Sequence, residues 1–290
     1  MQNRTKGIVA LTISAFGFAL MALFVRWCDD CGSPISSFQK SFFRNVIALL
    51  IAAVAFLHQG TVHFPKLQFS WVGLLGLRAL LGTIGIFANF YALSHITIAE
   101  GQTLNKTAPF FTVVFAWIFL GEKASRRQLM TLLFAFLGVV FIVKPGWVSE
   151  ASFPLAMGLV GGVAAGGAYA CVRVLRMREV PPSLIILVFS AFSCLASVPF
   201  MMVHFDSMTL QQVFMLFGAG ASAALGQFGI TWAYGYAAPR EIAVWDYSNI
   251  VFTALLGFIF LGQVPDLWSI LGGSIIVFAY CKAQRSSLSA

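Results

Sequence analysis

From Ser207 to Pro239 the chain carries no Asp, Glu, Lys or Arg, and the same is true from Val180 to Phe205 and from Gly7 to Val25. An α-helix needs ~20 mostly apolar residues to cross the ~30 Å hydrocarbon core of a bilayer. In water such runs could not be covered: only 10% of the 290 residues are charged, against about 25% in a soluble domain. Lipid is therefore the solvent this chain is adapted to. The runs are long and continuous rather than short and alternating, which excludes a transmembrane β-barrel. The fold class that follows is an all-α integral membrane protein.

Polar and turn residues divide the sequence into ten apolar segments, near 7–27, 36–57, 70–94, 97–120, 128–144, 154–175, 183–204, 211–236, 241–261 and 266–281. Loops as short as Ser94-His95-Ile96 and Pro239-Arg240 force antiparallel neighbours and leave no room for a soluble domain. Cytoplasmic segments collect Lys and Arg. With the N-terminus inside, they hold Arg4, Lys6, Lys66, Lys123, Arg126, Arg127, Arg173, Arg176, Arg178, Arg240, Lys282 and Arg285, and the outer segments keep only Arg26 and Lys144 near span ends. Asp29, Asp30, Glu150, Asp206 and Asp266 then lie outside. Both termini are expected in the cytoplasm. The net charge of +8 is thus a topology signal, and with no basic run or aromatic-basic repeat it does not point to nucleic acid. Met-Gln-Asn-Arg-Thr-Lys before an apolar run has the opening of a signal peptide, but no clear small-x-small cleavage site follows, so an uncleaved first helix is expected.

The chain repeats itself. "FTVVFAWIFLGEK" (111–123) resembles "FTALLGFIFLGQV" (252–264), and upstream "LGTIGIFANFYA" (81–92) resembles "LGQFGITWAYGY" (225–236). The blocks keep their order and nearly their spacing. The repeat predicts two units, 1–148 and 149–290, of five helices each. Five is odd, so the second copy enters the membrane from the opposite side, the inverted-repeat arrangement of many transporters, whose site lies near the midplane where the repeats meet.

"FFRNVIALL", "LRALLG", "LNKTAPFFTVVFAWIFLGEK" and "AVWDYSNIVFTALLGFIFLG" together resemble the EamA family of the drug/metabolite transporter superfamily over nearly the whole chain. The resemblance implies a ten-helix transporter, not an enzyme, many of whose relatives are exporters, with cargoes that include amino acids and S-adenosylmethionine. Gln263 stands where the second half would repeat Glu122.

The polar residues inside the apolar segments are the candidate site. Lys106 falls roughly 14 Å below the outer boundary at ~1.5 Å per residue, where each charge costs about 2.5–3.5 kcal/mol on insertion scales and so faces protein or a water-filled cavity. Gln102, Asn105, Lys106 and Pro109 fall within about 100° of one another on a helix. Glu100 lies off that face, nearer the outer surface, as an interfacial residue or a gate. Matching the FLGE and FLGQ ends pairs Asn105 with Asp246. Asp246, Asn249 and Thr253 share a face flanked by Trp245 and Tyr247, so Lys106 and Asp246 are expected to line one cavity from opposite sides. Arg78, Gly82, Gly85, Asn89 and Ala92 form a small-and-polar stripe, matched by Ser222, Gly226, Gly229, Ala233 and Tyr236 with Trp232 beside it. The glycines serve either close packing or a ligand's space. Arg78 is either a salt-bridge or carbonyl-cap residue or part of a cavity wall, and Arg44 is either paired structurally or in contact with substrate. Gly158, Gly162 and Gly166 form a seam for tight helix packing or for sliding during alternation, and Tyr169 continues the same side, where it can reach a ligand.

This set suits a small zwitterion: Lys106, Arg78 and Arg44 for carboxylates, Asp246 for a cationic group or a transported proton, and Trp232, Trp245, Tyr236 and Tyr247 for stacking on an aromatic or cationic moiety. The expected activity is secondary transport by alternating access, with the lipid bilayer and a small-molecule substrate as partners and a coupling proton or exchanged metabolite as the driver. A membrane-embedded enzyme acting on lipid, or a channel, are the other readings. Neither a cofactor nor a metal is expected. Cys28-Asp29-Asp30-Cys31 offers too few ligands for a metal site, leaving either a disulfide or free thiols, and no phosphate-binding glycine loop or nucleophile elbow is present. Compactness and short loops fit a bacterial inner (plasma) membrane best, with an organellar membrane as the alternative.

Overall fold

The computed structural model describes residues 2–33, 35–58, 69–95, 104–143, 152–262 and 267–288. Every regular element among them is helical: α1 (Gln2–Asp30), α2 (Ser37–His58), α3 (Phe69–His95), α4 (Ala108–Leu120), α5 (Arg126–Val143), α6 (Ser152–Met177), α7 (Pro182–Val203), α8 (Leu210–Tyr236), a short turn (Pro239–Ile242) leading through a 3₁₀ segment (Ala243–Tyr247) into α9 (Ser248–Leu261), and α10 (Leu267–Leu288). Backbone amides in hydrocarbon have no water to bond, so an apolar run must satisfy them within itself, and the α-helix does that. Seven stretches among the described residues are long and apolar enough to cross a membrane, including Pro239–Leu261 as one, and Ala108–Leu120 and Ile270–Ala279 are shorter apolar helices.

Helix ends follow local chemistry. Thr209 and Gln212 form a reciprocal capping box at the start of α8: Gln212 N–H donates to Thr209 Oγ1 at 3.2 Å, and Thr209 N–H donates to Gln212 Oε1 at 3.0 Å. The two FLG sequences do the same work at the other end. Gly121 (φ +67°) and Gly262 (φ +63°) close α4 and α9 in the left-handed conformation, which only glycine adopts without penalty. No atom lies within 4 Å of a Cβ added at Gly121. Gly121→Ala is therefore expected to cost about 1 kcal/mol through backbone strain alone, read as a lower thermal midpoint in detergent, whereas Gly73→Ala, equally open but inside a helix, should not lower it.

The helices pack through small residues. α1 lies along α8, α3 along α6, α2 against α7 and α8, α7 also against α3, α5 against α10, and α4 and α9 against α6 and α1 respectively. In the α1–α8 contact a Cβ at Gly17 would sit 2.8 Å from Gly226 N and 2.9 Å from Ser222 O, and Ser14 Oγ donates to Gly226 O at 2.7 Å. In α3–α6, a Cβ at Gly85 would meet the backbone of Gly161 and Ala165, and in α4–α6, a Cβ at Gly166 would lie 3.0 Å from Ala108 O. The glycine seam 158–162–166 is thus a packing face against α4 and the turn before it, as close backbone approach in lipid requires.

Candidate functional site

Both helices that end in FLG also begin late. α4 starts at Ala108, after a separate turn at 104–107 in which Thr107 donates from N (3.1 Å) and Oγ1 (2.6 Å) to Leu104 O. Pro109 then withholds a backbone donor from the first turn. α9 starts at Ser248, after the 3₁₀ segment 243–247. The two interruptions hold the two charges. Lys106 Nζ lies 3.9 Å from Asp246 Oδ2, with the side chains 9% and 10% exposed. Broken helices free backbone groups and place charges where continuous helices would bury only carbon.

A second charged group lies nearby. Arg78 of α3 is 2% exposed. Its Nη2 donates to Gln227 Oε1 of α8 at 3.1 Å, and its guanidinium stacks 4.2 Å over the Phe189 ring of α7. Its Nε and Nη1 are buried with no hydrogen-bond partner among the described residues, and so is Nε of Arg44 on α2. Tyr169 of α6 lies within electrostatic reach of Arg44, Arg78 and Asp246, and its ring centroid is 6.0 Å from that of Tyr234. Arg44, Arg78, Tyr169, Lys106 and Asp246 thus gather contributions from five segments.

The other sequence candidates divide. Asn105 is partly buried beside Lys106. Asn89 sits at the α3–α6 contact with a buried Oδ1 that has no hydrogen-bond partner among the described residues. Asn249 is spent on structure: Nδ2 donates to Ala15 O of α1 at 2.9 Å. Tyr247 is fully buried among Leu132, Ala135 and Ile276, and Trp245 packs between that cluster and a second one around Leu11 and Tyr234. Trp232 and Tyr236 do not join the charges. They are 45% and 44% exposed, on an outer face of α8 with Leu225, because the opposite face, with Gln227, Thr231 and Tyr234, is the buried one. They border a pocket of about 490 Å³ between α1 and α8, whose wall includes Lys6, Val9 and Ile13. That pocket is a mostly apolar cleft on the outside of the bundle and is not where the buried charges are. Glu100, Gln102 and Gln263 lie outside the described residues. Cys28 and Cys31 are free thiols.

Comparisons with known proteins agree with a transport role. The profile of the EamA-like transporter family matches residues 5–144. A pseudopaline exporter of Pseudomonas aeruginosa (strain UCBPP-PA14) is 31% identical over 97% of this chain and 96% of its own length. The chain belongs to the EamA-like transporter family. Solute carrier family 35 member G1 of Homo sapiens is 27% identical over 94% of this chain and 77% of its own, and a riboflavin transporter of Brucella anthropi is 26% identical over 94% and 96%. A protein of known crystal structure shares the fold with a TM-score of 0.76 at 17% identity, covering 96% of both chains. This EamA-like chain is a transporter rather than an enzyme, and an integral membrane protein.

Sequence reasoning missed one feature of this family member. Glu122, the acid of its FLGE motif, accepts from Arg173 Nε (3.0 Å) and Nη2 (2.9 Å) of α6, and Arg173 Nη1 donates to Tyr234 O of α8 at 3.0 Å. Arg240 adds a bond to Lys123 O at 3.1 Å. At the opposite end of the bundle the Lys40–Asp29 ion pair ties α2 to α1, and the other ties use amides and backbone: Gln39 Nε2 donates to Asp206 O (2.8 Å), Asp206 Oδ2 accepts from Ser36 N–H (2.7 Å), and Gln212 Nε2 donates to Cys28 O and Ser33 O. The signal for the clamp was an acid retained at a helix end amid basic residues, which the orientation rule had absorbed as mere topology.

Proposed function

We propose that this chain is a secondary carrier that moves small polar or zwitterionic metabolites, amino-acid-like or S-adenosylmethionine-like, by alternating access. The observation that carries the reading is the Lys106–Asp246 pair, buried at the breaks of two corresponding helices. The helix pairings support two five-helix halves, 1–148 and 149–290, of opposite topology. Replacing helix n by its counterpart five places away turns α1–α8 into α6–α3, α4–α6 into α9–α1, and α2–α8 into α7–α3, all of which occur. Ten spans are then the full set, with both termini cytoplasmic in a bacterial inner membrane. The ends of the bundle are tied by separable polar contacts, Glu122–Arg173 at one and Gln39–Asp206 with Lys40–Asp29 at the other, so that opening one while the other holds exposes the centre to one side at a time. An exchanged metabolite or a proton drives the cycle. Related proteins named for pseudopaline and riboflavin make a polar organic cargo the natural class.

The test is counterflow in liposomes preloaded with members of an amino-acid and S-adenosylmethionine panel. Saturable exchange of external label is expected, reduced at least about 100-fold in Asp246→Asn and in Lys106→Ala, the order of effect that loss of one buried, directed charge contact produces. Non-saturating flux would mean a channel. Exchange that survives both substitutions would remove the pair from the path.

A further inference from the structure

We infer that the cargo of this site is a dianion, bound by Arg44 and Arg78 through two carboxylates or one phosphomonoester group. The inference rests on the carrier reading and replaces its zwitterionic cargo with a polar metabolite that carries two negative charges on one end. Three cations, Arg44, Arg78 and Lys106, and one carboxylate, Asp246, are buried to 7% exposure or less in this part of the bundle. Lys106 and Asp246 face each other, so their charges cancel and the two arginines remain. The other described carboxylates are accounted for or distant: Asp29 is held by Lys40, Asp30 by Arg26, Glu122 by Arg173 and Asp206 by backbone and Gln39, while Glu179 and Glu241 sit in the turns after α6 and α8. No described carboxylate forms an ion pair with either arginine.

A buried guanidinium without a counter-charge is costly, and its unbonded N–H groups add to the cost. Arg78 leaves Nε and Nη1 unbonded and Arg44 leaves Nε. What Arg78 does have, an amide oxygen and an aromatic face, orients the guanidinium without neutralising it. The two arginines and Tyr169 lie within electrostatic reach of one another, so each also repels the other. Guanidinium forks match carboxylate and phosphate oxygens in pairs. A ligand with two negative charges on one end satisfies both forks and brings the buried charge to zero, and its remaining polar groups meet the Lys106–Asp246 pair. Monoanions and neutral zwitterions leave one or two positive charges uncompensated.

The experiment follows thermal unfolding of the purified full-length protein in detergent, with sodium succinate, glycerol 3-phosphate, acetate, or the zwitterion alanine at equal ionic strength. Succinate or glycerol 3-phosphate is expected to raise the midpoint by several degrees, and whichever gives the larger shift identifies the anchoring group. Acetate and alanine should not raise it. Arg44→Gln and Arg78→Gln, which remove an uncompensated charge, are each expected to raise the ligand-free midpoint and abolish the dianion shift. Arg78→Lys keeps the charge and should keep the ligand-free midpoint near that of the parent with a smaller shift. Dianions no better than acetate, or glutamine variants with a lower ligand-free midpoint, would overturn the inference. The same panel in proteoliposomes separates the two readings. A dianion shift without exchange keeps the site and removes the carrier, whereas exchange of neutral zwitterions without a dianion shift keeps the carrier and removes the dianion.

Discussion

Gly17→Leu is expected to abolish the folded protein, leaving little or no monodisperse material after extraction in mild detergent. At this position α1 and α8 approach backbone to backbone. A Cβ would fall 2.8 Å from Gly226 N, 2.9 Å from Ser222 O and 3.2 Å from Gly226 Cα. These are main-chain atoms of a long, regular helix, so no side-chain rotation makes room. Overpacking a well-filled core by single methylenes costs about 1–3 kcal/mol, and a whole isobutyl group against rigid backbone exceeds that range. Relief requires the helices to separate, which would break the Ser14–Gly226 bond and pull Asn249 from Ala15 O, since α9 docks on the same helix. The control is Gly73→Leu, where an added Cβ meets no described atom within 4 Å, and it is expected to extract and unfold like the parent. Normal folding of Gly17→Leu would mean that the α1–α8 contact is looser than its geometry.

Much of this architecture is legible in the sequence because lipid leaves few alternatives. An uncharged run such as 207–239 has to be a helix, and glycines spaced by four have to mark where helices touch. The repeated FLG sequences correspond to two left-handed helix caps at Gly121 and Gly262, and counting back from them pairs Asn105 with Asp246, whose neighbour across the site, Lys106, the structure places 3.9 Å from Asp246. What the sequence could not show is which face of an all-apolar helix meets protein. α8 carries no charge to mark a face, so Trp232 and Tyr236, aligned with a glycine stripe, read as inward, whereas the polar side chain of Gln227 marks the buried face with its bond to Arg78. The same limit hid the Glu122–Arg173 clamp. Its partners are 51 residues apart in the chain, so no local spacing connects them.

The second large effect is a difference between single and double substitutions at the central pair. Lys106→Met and Asp246→Leu are each expected to destabilise the protein by ~3–5 kcal/mol, because each leaves the opposite charge buried without its partner. The double variant Lys106→Met/Asp246→Leu is expected to recover most of that loss, so that the cycle shows a coupling of several kcal/mol, while exchange in liposomes stays undetectable. The reasoning is that the pair is poorly placed to serve stability. At 3.9 Å it is an ion pair without a hydrogen bond, and attraction at that distance does not repay the desolvation of both ions unless further bonds complete their shells. Apolar side chains of similar size fill the same space without that penalty. If the double variant is as unstable as the singles, the two residues act on the fold separately, and the broken helices depend on each charge for their local structure. If it folds and still exchanges substrate, the charges are bystanders and the transport path lies elsewhere. A folded, inactive double variant is the outcome that a pair kept for transport at the expense of stability requires.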